Sequence, residues 1–446
     1  MPMSMRRYFR LASDCILVQD GKNGVIYAVS EGRIYLLDHA AYQLVSRAER
    51  NEPLDESSIG THGRRLFEWL RDNSLGFFDD EPAYVDRLSA FGATAALGMD
   101  PRAPLIMHQV DWTITSRCAR SCAFCPRGPA TVVSQACMTC VRQRGTSEST
   151  NPVANLASRL DEVVDLGTRV LHIRGGDPFA VWDRLTTLVQ AASSKFGLAV
   201  TTPGLGRSED EIAAFSAANG LRLNLVILAD DIADALADGP SDIFSRQMSV
   251  LDALAREQVS FGVTCIVSSN TARETEPLTQ FIAARWNTTP AFSEVFEASA
   301  TGSATASVFA AKKQLTGWNS LGEWFIRSHR NKCLFGRCEL GLDGRIHPCA
   351  GLDACGKAAG DDRLAPVIAA SELRDWWMGP SERLKGCSKC NLRYGCHPCT
   401  AAALHTAENG RPQCCPLDPA DEIEPAALPW RSADSVRTIR LETSTS

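Results

Sequence analysis

The cysteines of this chain fall into two groups that are far apart in the sequence. Of its 17 cysteines, five lie between positions 118 and 140 and ten between positions 333 and 415. The other two, Cys15 and Cys265, lie in strand-like sequence, where a cysteine behaves as a small hydrophobic residue. Disulfides are rare in the cytoplasm, and clustered cysteines there are usually metal or redox sites. The distribution therefore predicts two separate metal or redox sites on one chain.

Charge and hydropathy narrow the possible partners. The formal net charge is −6, so the chain has no general electrostatic attraction to nucleic acid. No stretch approaches the roughly 20 apolar residues of a membrane span. Residues 1–13 lack the apolar segment of a signal peptide. We expect a cytoplasmic protein with neither nucleic-acid nor membrane partners.

The first hundred residues predict a small domain of their own. Three short strands, at 15–19, 24–29 and Arg33–Leu37, are separated by turn signals. Helical periodicity follows at 39–50, at 54–59 and around 66–70. Residues 91–104 are small and turn-rich, as expected of a linker.

Strand and helix patterns then alternate up to about residue 300. The predicted strands are 105–113, 169–173, 198–202, 222–228, 260–267 and 292–295. Ser208 and Glu211 form a capping box that opens one of the intervening helices. Such alternation indicates a parallel sheet, either a barrel or a doubly wound sheet, and barrels of this kind carry their chemistry at the carboxyl ends of the strands. The polar segment 126–153, with Cys137 and Cys140, interrupts the pattern as an inserted loop.

A closely spaced cysteine motif follows the first strand of this region. Cys118-x-x-x-Cys122-x-x-Cys125 supplies three thiolates, which can hold three irons of a [4Fe–4S] cluster and leave the fourth iron open. A zinc site completed by Cys137 or Cys140 is the competing interpretation. The motif resembles the signature of the radical S-adenosylmethionine superfamily, in which an aromatic residue, here Phe124, precedes the last cysteine. The resemblance implies that the open iron binds S-adenosylmethionine and that Phe124 lies near the adenine.

The end of the second strand carries a further element of this resemblance. Gly175-Gly176-Asp177-Pro178 is similar to the superfamily's Gly-Gly-Glu-Pro turn, which holds the methionine amino group. Asp177 is shorter than the usual glutamate, so we expect the contact to run through the backbone. Thr201 and Asn224, with Thr202, are candidates for ribose or methionine contacts, and a structural role is the competing interpretation.

The second cysteine group resembles the twin-cluster extension called the SPASM domain. The resemblance rests on Cys333, Gly344 and Cys349, on Cys387-x-x-Cys390-x5-Cys396-x-x-Cys399, and on a last cysteine. It implies two auxiliary clusters, one on Cys333, Cys338, Cys349 and Cys399, the other on Cys387, Cys390, Cys396 and either Cys414 or Cys415. This chain departs from the pattern in having two residues between Cys396 and Cys399 where three are usual. Structural zinc knuckles are the alternative.

Two sets of cysteines lie outside this scheme. Cys355 has no assigned role and is expected to be a free thiol. The pair Cys137 and Cys140 is open to three interpretations: a redox pair, an additional metal site, or a plain loop. The polar residues after 419 are expected to form a poorly ordered tail.

The N-terminal strand and helix order resembles the leader-peptide recognition element of peptide maturases, a winged helix-turn-helix. The resemblance implies that a leader adds as a strand beside Arg33, Ile34 and Tyr35, and packs against a helix that carries Leu66, Phe67 and Leu70. DNA binding is the alternative for such a fold. The acidic residues 79–81 would repel phosphate and so disfavour it.

Together these resemblances imply an α/β chain built on a partial (β/α)6 TIM-like barrel. The expected domains are a winged-helix domain at 1–98, the barrel at 99–330, a loop-rich iron–sulfur domain at 331–418 and a tail at 419–446. The implied enzyme uses S-adenosylmethionine, three [4Fe–4S] clusters and a donor such as flavodoxin or ferredoxin to modify a ribosomally made precursor peptide. A sulfatase-maturating type of side-chain oxidase and an iron–sulfur winged-helix regulator are the alternatives. The precursor, the modified residue and the bond formed stay open.

Overall fold

The structure is a computed structural model that describes most of the strand and helix framework. The described residues are 8–20, 23–87, 107–122, 124–125, 131–133, 135–140, 156–268, 271, 275–297, 324, 327–331, 333–357, 364, 368, 372–378, 385–388, 390–396, 399–405, 407–408, 411–412 and 436–439. The expected linker at 91–104, and Cys414 and Cys415, lie outside them.

The N-terminal region contains the predicted strands and helices, with additions. Its elements are β1 Tyr8–Leu11, β2 Cys15–Asp20, β3 Asn23–Ala28, β4 Arg33–Leu37, α1 His39–Glu49, α2 Glu56–Asp72 and β5 Gly76–Asp79. The three predicted strands are confirmed as β2, β3 and β4, which form one antiparallel sheet. The second and third predicted helices are the two parts of α2, which is broken at Gly60, where φ is +63°. The antiparallel pair of β1 and β5 was not predicted.

One face of this sheet packs against its own two helices. Helix α1 begins at Asp38, whose carboxylate accepts a hydrogen bond from the Ala41 backbone at 2.8 Å. Leu66, Phe67 and Leu70 of α2 lie in the core beneath the sheet, with exposures of 4%, 0% and 0%. The expectation that these residues line an open peptide groove is therefore corrected, because the domain's own sheet already covers them.

The opposite face of the same sheet packs against the C-terminal cysteine region. Tyr27 and Ile34 are fully buried there, together with Trp324 and Leu392. The Tyr27 hydroxyl donates to the carbonyl oxygen of Asn391 at 2.6 Å. The N-terminal sheet is thus a layer with both faces covered, and the two ends of the chain fold against each other.

The outer edge of β4 is occupied by the chain's own C-terminal segment. Strand β18 (Val436–Ile439) runs parallel to β4, with Val436 opposite Ile34 and Ile439 opposite Leu37. This corrects two expectations, an open edge at Arg33–Leu37 and an unstructured tail throughout 419–446. The short apolar and β-branched run 436–439 suits a strand, and an unpaired sheet edge offers it a full set of backbone partners.

The central region forms a large, mainly parallel sheet with helices between its strands. Its strands are β6 Gln109–Thr115, β8 Val170–Gly175, β9 Gly197–Thr202, β10 Arg222–Leu228, β11 Phe261–Val267 and β12 Ala291–Glu297. The helices are α3 Leu156–Asp165, α4 Trp182–Ala192, α5 Glu209–Ala218, α6 Ala229–Ala237, α7 Asp242–Arg256 and α8 Thr275–Trp286. All six predicted strands are confirmed within a few residues, as is the capping box of Ser208 and Glu211.

The order of the strands distinguishes between the two predicted architectures. The six strands lie side by side as β6-β8-β9-β10-β11-β12, which is their order along the chain. A doubly wound sheet would reverse direction at a switch point, whereas this singly wound order is that of a TIM-like barrel. The carboxyl ends of the strands therefore meet at one end of the sheet.

Two neighbouring regions extend this sheet at its edges. Strand β7 (Thr131–Val133), from the inserted loop, pairs antiparallel with β12. At the other edge β13 (Arg337–Leu340) pairs parallel with β6 and is followed by β14 (Arg345–His347) and β15 (Gly356–Lys357). The rest of the C-terminal region consists of α9 Leu373–Trp377, α10 Lys385–Ser388, α11 Thr400–His405, β16 Ala407–Glu408 and β17 Arg411–Pro412. Among the described residues, none of the helices combines the length and the apolar character needed to cross a membrane.

The buried position of Leu70 gives a stability prediction. Leu70→Ala leaves a cavity in the N-terminal core and should lower the free energy of unfolding by about 2–5 kcal/mol. The matched control is Leu236→Ala, since Leu236 is 56% exposed and its change should stay within about 0.5 kcal/mol. Urea unfolding followed by circular dichroism measures both. Equal effects of the two changes would contradict the core position of Leu70.

Candidate active site

The first cysteine motif lines a pocket at the carboxyl ends of the parallel strands. The pocket encloses about 380 Å³, including its open mouth. Its lining residues are Cys118, Arg120, Cys122, Phe124, Cys125, Cys140, Pro203, Val226, Leu228 and Ile266. The three motif cysteines are therefore together at the predicted end of the barrel, with Phe124 beside them and an apolar wall formed by β10 and β11.

A partly buried ion pair fixes the loop that carries these cysteines. The two guanidinium nitrogens of Arg120 bind the two carboxylate oxygens of Asp231 at 2.6 and 2.7 Å. Asp231 lies in the first turn of α6, so the cysteine loop is tied to the helix that follows β10. Within the loop, the Cys125 backbone N–H donates to the Cys122 carbonyl at 3.0 Å.

The two glycines after β8 are required by the close approach of the cysteine loop. A methyl group on Gly175 would lie 2.2 Å from the Thr115 carbonyl oxygen, and one on Gly176 would lie 2.2 Å from that of Arg117. Gly175 also has a φ of +138°. The backbone N–H groups of Gly176 and Asp177 donate to the Thr115 and Arg117 carbonyls at 2.9 and 2.6 Å. The glycine turn thus supports the backbone of the segment that leads into Cys118.

The carboxylate of Asp177 points into the protein. It accepts hydrogen bonds from the Thr202 hydroxyl at 2.8 Å and from the backbone of Phe179 and Leu205 at 3.1 and 2.9 Å. Burial raises the pKa of Asp177, and these hydrogen bonds act in the opposite direction. Asp177 therefore connects its own turn to the loop after β9. This agrees with the expectation that any ligand contact of the turn would use its backbone.

Thr201 and Asn224 belong to a polar network inside the barrel. His172 contacts Asp111 at 3.0 Å and the Thr201 hydroxyl at 2.8 Å. The Asn224 amide donates to Thr201 at 3.2 Å and to the Met138 carbonyl of the inserted loop at 2.8 Å. Both residues therefore hydrogen-bond within the protein, and a direct cofactor contact of either stays a prediction.

Cys140 of the inserted loop reaches the pocket of the first motif. Burial, and then the nearby thiols of Cys118, Cys122 and Cys125, raise the pKa of Cys140. Burial likewise raises the pKa of Cys122, opposed by the Arg120 guanidinium. The first site thus gathers four cysteines, one more than its motif contains.

Cys137 lies at the second cysteine group, on the other side of the inserted loop. The neighbouring Cys333 side chain lowers the pKa of Cys137, and Cys137 raises the pKa of Cys333. The Gln135 backbone N–H donates to the Cys399 sulfur at 3.2 Å. Burial lowers the pKa of Arg337, but the negative charges of Asp111 and of the thiolates of Cys137, Cys333 and Cys349 raise it by more. The partly exposed Arg337 side chain thus faces this group of thiols.

Cys338 does not share this environment. It lies on β13, where Arg337 and Glu339 point toward the barrel interior and alternate residues point away. Burial, then Asp111 and then the Cys355 thiol raise the pKa of Cys338. The structure therefore brings together three of the four cysteines expected for the first auxiliary cluster and separates Cys338 from them. The alternation of Arg, Cys, Glu and Leu at 337–340 was the sequence signal for this strand.

The last motif forms a compact turn against the N-terminal sheet. The Cys390 backbone N–H donates to the Cys387 carbonyl at 3.1 Å, and Cys390 and Cys396 pack against the cluster around Tyr27. Cys387 and Cys399 both pack against Ala402 and Ala403 of α11. Their expected partners, Cys414 and Cys415, lie outside the described residues.

Neither group of cysteines is arranged as a compact site for one metal ion. Within the described part of the chain, no three His, Cys, Asp or Glu side chains converge closely enough to hold one metal ion. In a [4Fe–4S] cluster each thiolate binds a different iron, so its ligands are spread more widely. Arg120 and Arg337 place positive charge beside the two groups of partly buried thiols.

Comparison with known proteins finds similarity only at the level of structure. No model of a protein family matches the sequence, and no curated protein matches it significantly. Streptococcus suis SuiB bound to S-adenosylmethionine has a TM-score of 0.44 at 14% identity, covering 93% of this chain and 100% of its own. SuiB bound to the precursor peptide SuiA has a TM-score of 0.44 at 15% identity, with the same coverage. The protein anSMEcpe with bound AdoMet has a TM-score of 0.49 at 14% identity, covering 69% of this chain and 90% of its own.

The glycine turn gives a prediction for the site. Gly176→Ala places a methyl group against the Arg117 carbonyl and should displace the cysteine loop. A misplacement of about 1 Å costs on the order of a hundredfold in rate, so the reductive cleavage of S-adenosylmethionine that the sequence predicts should fall by that order. Gly197→Ala is the control, since its methyl group would meet its nearest atom at 3.6 Å. Quantifying 5′-deoxyadenosine by chromatography decides between them, and equal activity of the two variants would contradict this role of Gly176.

Proposed function

We propose that this chain is a radical S-adenosylmethionine enzyme that modifies a ribosomally made peptide. The observation that carries the proposal is the pocket in which Cys118, Cys122, Cys125 and Phe124 meet at the carboxyl ends of a singly wound parallel sheet. A pocket with three thiolates and an apolar wall suits a cluster with one open iron and an adenosyl ligand. When bound, that cluster supplies one electron to S-adenosylmethionine, which yields methionine and the 5′-deoxyadenosyl radical that removes a hydrogen atom from the substrate.

The protein's own residues would bind, orient and shield the cofactors. The ion pair of Arg120 and Asp231 holds the cysteine loop, and the Gly175–Gly176 turn packs against the backbone that leads into this loop. Pro203, Val226, Leu228 and Ile266 exclude water from the wall of the pocket. The hard chemistry would belong to the cofactors, while the protein sets position and electrostatics.

The N-terminal region supports a peptide as the substrate. Its sheet packs directly on the second cysteine group, so a peptide paired with an edge of this sheet would be tethered to the body that holds the cofactors. Strand addition gives affinity through the main chain and tolerates many side chains. Two auxiliary [4Fe–4S] clusters in the C-terminal region, and a flavodoxin or ferredoxin as electron donor, complete the proposal.

Replacing the first three cysteines tests this function. Anaerobically reconstituted protein should hold about twelve irons, and Cys118→Ala, Cys122→Ala and Cys125→Ala together should remove about four of them. The triple variant should form no 5′-deoxyadenosine under reducing conditions, and it should lose any S-adenosylmethionine-dependent mass change in short peptides encoded beside the gene. Cys355→Ala is the control, because Cys355 lies away from the pocket.

Two results would overturn the proposal. The first is 5′-deoxyadenosine formation that persists in the triple variant. The second is a reproducible content of about four irons with zinc in the native protein, which would replace the auxiliary clusters by zinc knuckles.

A further inference from the structure

One buried asparagine links two cysteines of the second group. The side-chain oxygen of Asn331 accepts a hydrogen bond from the Cys333 backbone N–H at 3.1 Å, and its amide nitrogen donates to the Thr400 hydroxyl at 2.9 Å. Thr400 directly follows Cys399 at the start of α11. Cys333 and Cys399 are thereby fixed relative to each other. With Cys349, the third cysteine of the predicted set, they supply three of the four ligands of a four-cysteine cluster.

The inserted loop places Cys137 at the missing position. Arg174, which is 1% exposed, donates to the Ala136 and Thr139 carbonyls at 2.5 and 2.9 Å and so holds the turn between them. Cys137 in this turn is 8% exposed. Two residues before it, the Gln135 backbone N–H donates to the Cys399 sulfur at 3.2 Å, so the turn lies directly against the second cysteine group.

Strand β13 directs Cys338 to the opposite face. Arg337, on one side of Cys338, reaches Asp111 at 3.3 Å, and Glu339, on the other side, accepts from Thr113 at 2.6 Å. Both contacts lie in the barrel interior. Because side chains alternate along a strand, Cys338 points into the apolar layer with Leu340 and Ile346.

We propose that Cys137, and not Cys338, is the fourth ligand of the first auxiliary cluster, with Cys333, Cys349 and Cys399. The proposal rests on the proposed function for the presence of that cluster, but it concerns only this chain's choice of ligand. It also gives the insertion a role: Cys137 joins the auxiliary cluster while Cys140, three residues later, lines the pocket of the first motif. One short loop would connect the two sites.

Serine substitutions, made in a variant that lacks the three cysteines of the first motif, test this assignment. With Cys118, Cys122 and Cys125 all changed to Ala, the remaining iron, about eight per chain, reports the auxiliary clusters alone. Cys137→Ser keeps the size of the side chain. It should lower the iron content by up to about four, or change the EPR spectrum of the reduced protein, because a ligand is lost or becomes oxygen. Cys338→Ser and Cys355→Ser are matched controls and should change neither.

Each other outcome counts against the proposal. Unchanged iron and an unchanged EPR spectrum in Cys137→Ser would show that Cys137 is not a ligand. An equal change in Cys338→Ser would make Cys338 a ligand after all. Circular dichroism on the same samples shows whether the fold is retained. A background protein without iron would instead contradict the proposed function, so the two failures are distinct.

A second inference comes independently from the C-terminal strand. Strand β18 covers the outer edge of β4 over four residue pairs, from Val436 opposite Ile34 to Ile439 opposite Leu37. This is the edge, at Arg33–Leu37, beside which the sequence predicts that a leader peptide adds as a strand. We propose that residues 436–439 are a built-in competitor that a precursor peptide must displace. Four paired residues make a short strand, which a longer peptide strand can replace.

The chain's own tail serves as the probe for this competition. Two truncated chains are compared, one ending after Ser435 and one ending after Arg440, which differ in whether β18 is present. A fluorescein-labelled peptide of residues 430–446 should bind the shorter chain about tenfold more tightly, the factor expected if the segment occupies the edge nine-tenths of the time. Fluorescence anisotropy measures this, with a scrambled peptide as control. Unlabelled precursor peptide encoded beside the gene should displace the label.

The possible outcomes test the role of β18 separately from the proposed enzyme activity. Equal binding of the labelled peptide to both chains, or to neither, would overturn occupation of the edge by the tail. Binding that the precursor does not displace would make β18 a structural strand only. In either case S-adenosylmethionine-dependent modification of the precursor by the intact enzyme tests the proposed function separately.

Discussion

The structure around both cysteine sites depends on one buried arginine. Arg174 lies on β8, directly before the glycine turn that supports the first motif. Its guanidinium binds two carbonyl groups of the inserted loop and lies 3.7 Å from Glu339 on β13. A buried cation without such partners would cost several kcal/mol, so barrel, insertion and C-terminal region must assemble together around it. Arg174 thus joins the barrel, the inserted loop and the C-terminal region through direct contacts.

Alternation along strands decides which cysteines belong together. Arg337 and Glu339 face the polar interior, and this orients Cys338 away from the other thiols. The cysteine spacing alone favours Cys338 as a ligand, because spacing along the chain carries no information about the face of the strand. In the proposed ligand set Cys137 takes the place of Cys338. Cys137 is distant from the other ligands in sequence and close to them in space. A ligand set predicted from cysteine spacing therefore also requires knowing to which face of its strand each cysteine points.

The sequence predicted local features well and pairing between distant segments poorly. Apolar runs located all six central strands, and the capping box of Ser208 and Glu211 is present as expected. The pocket of the first motif follows from three cysteines within eight positions. The edges were missed: β7 on β12, β13 on β6 and β18 on β4. Edge pairing depends on which backbone groups remain free after the rest has folded, and no local periodicity encodes that. Helical periodicity is compatible with either a groove or a core position for Leu66, Phe67 and Leu70. In the structure the sheet packs over these residues, so they belong to the core.

The contact between Tyr27 and Asn391 has a consequence for biosynthesis. The two residues are 364 positions apart, so most of the chain must leave the ribosome before the first sheet finds its second covering layer. Until then Val25 and Ile34 present an apolar face that invites association with other chains. Maturation of the second cysteine group and burial of the N-terminal sheet therefore fall within the same late interval of synthesis.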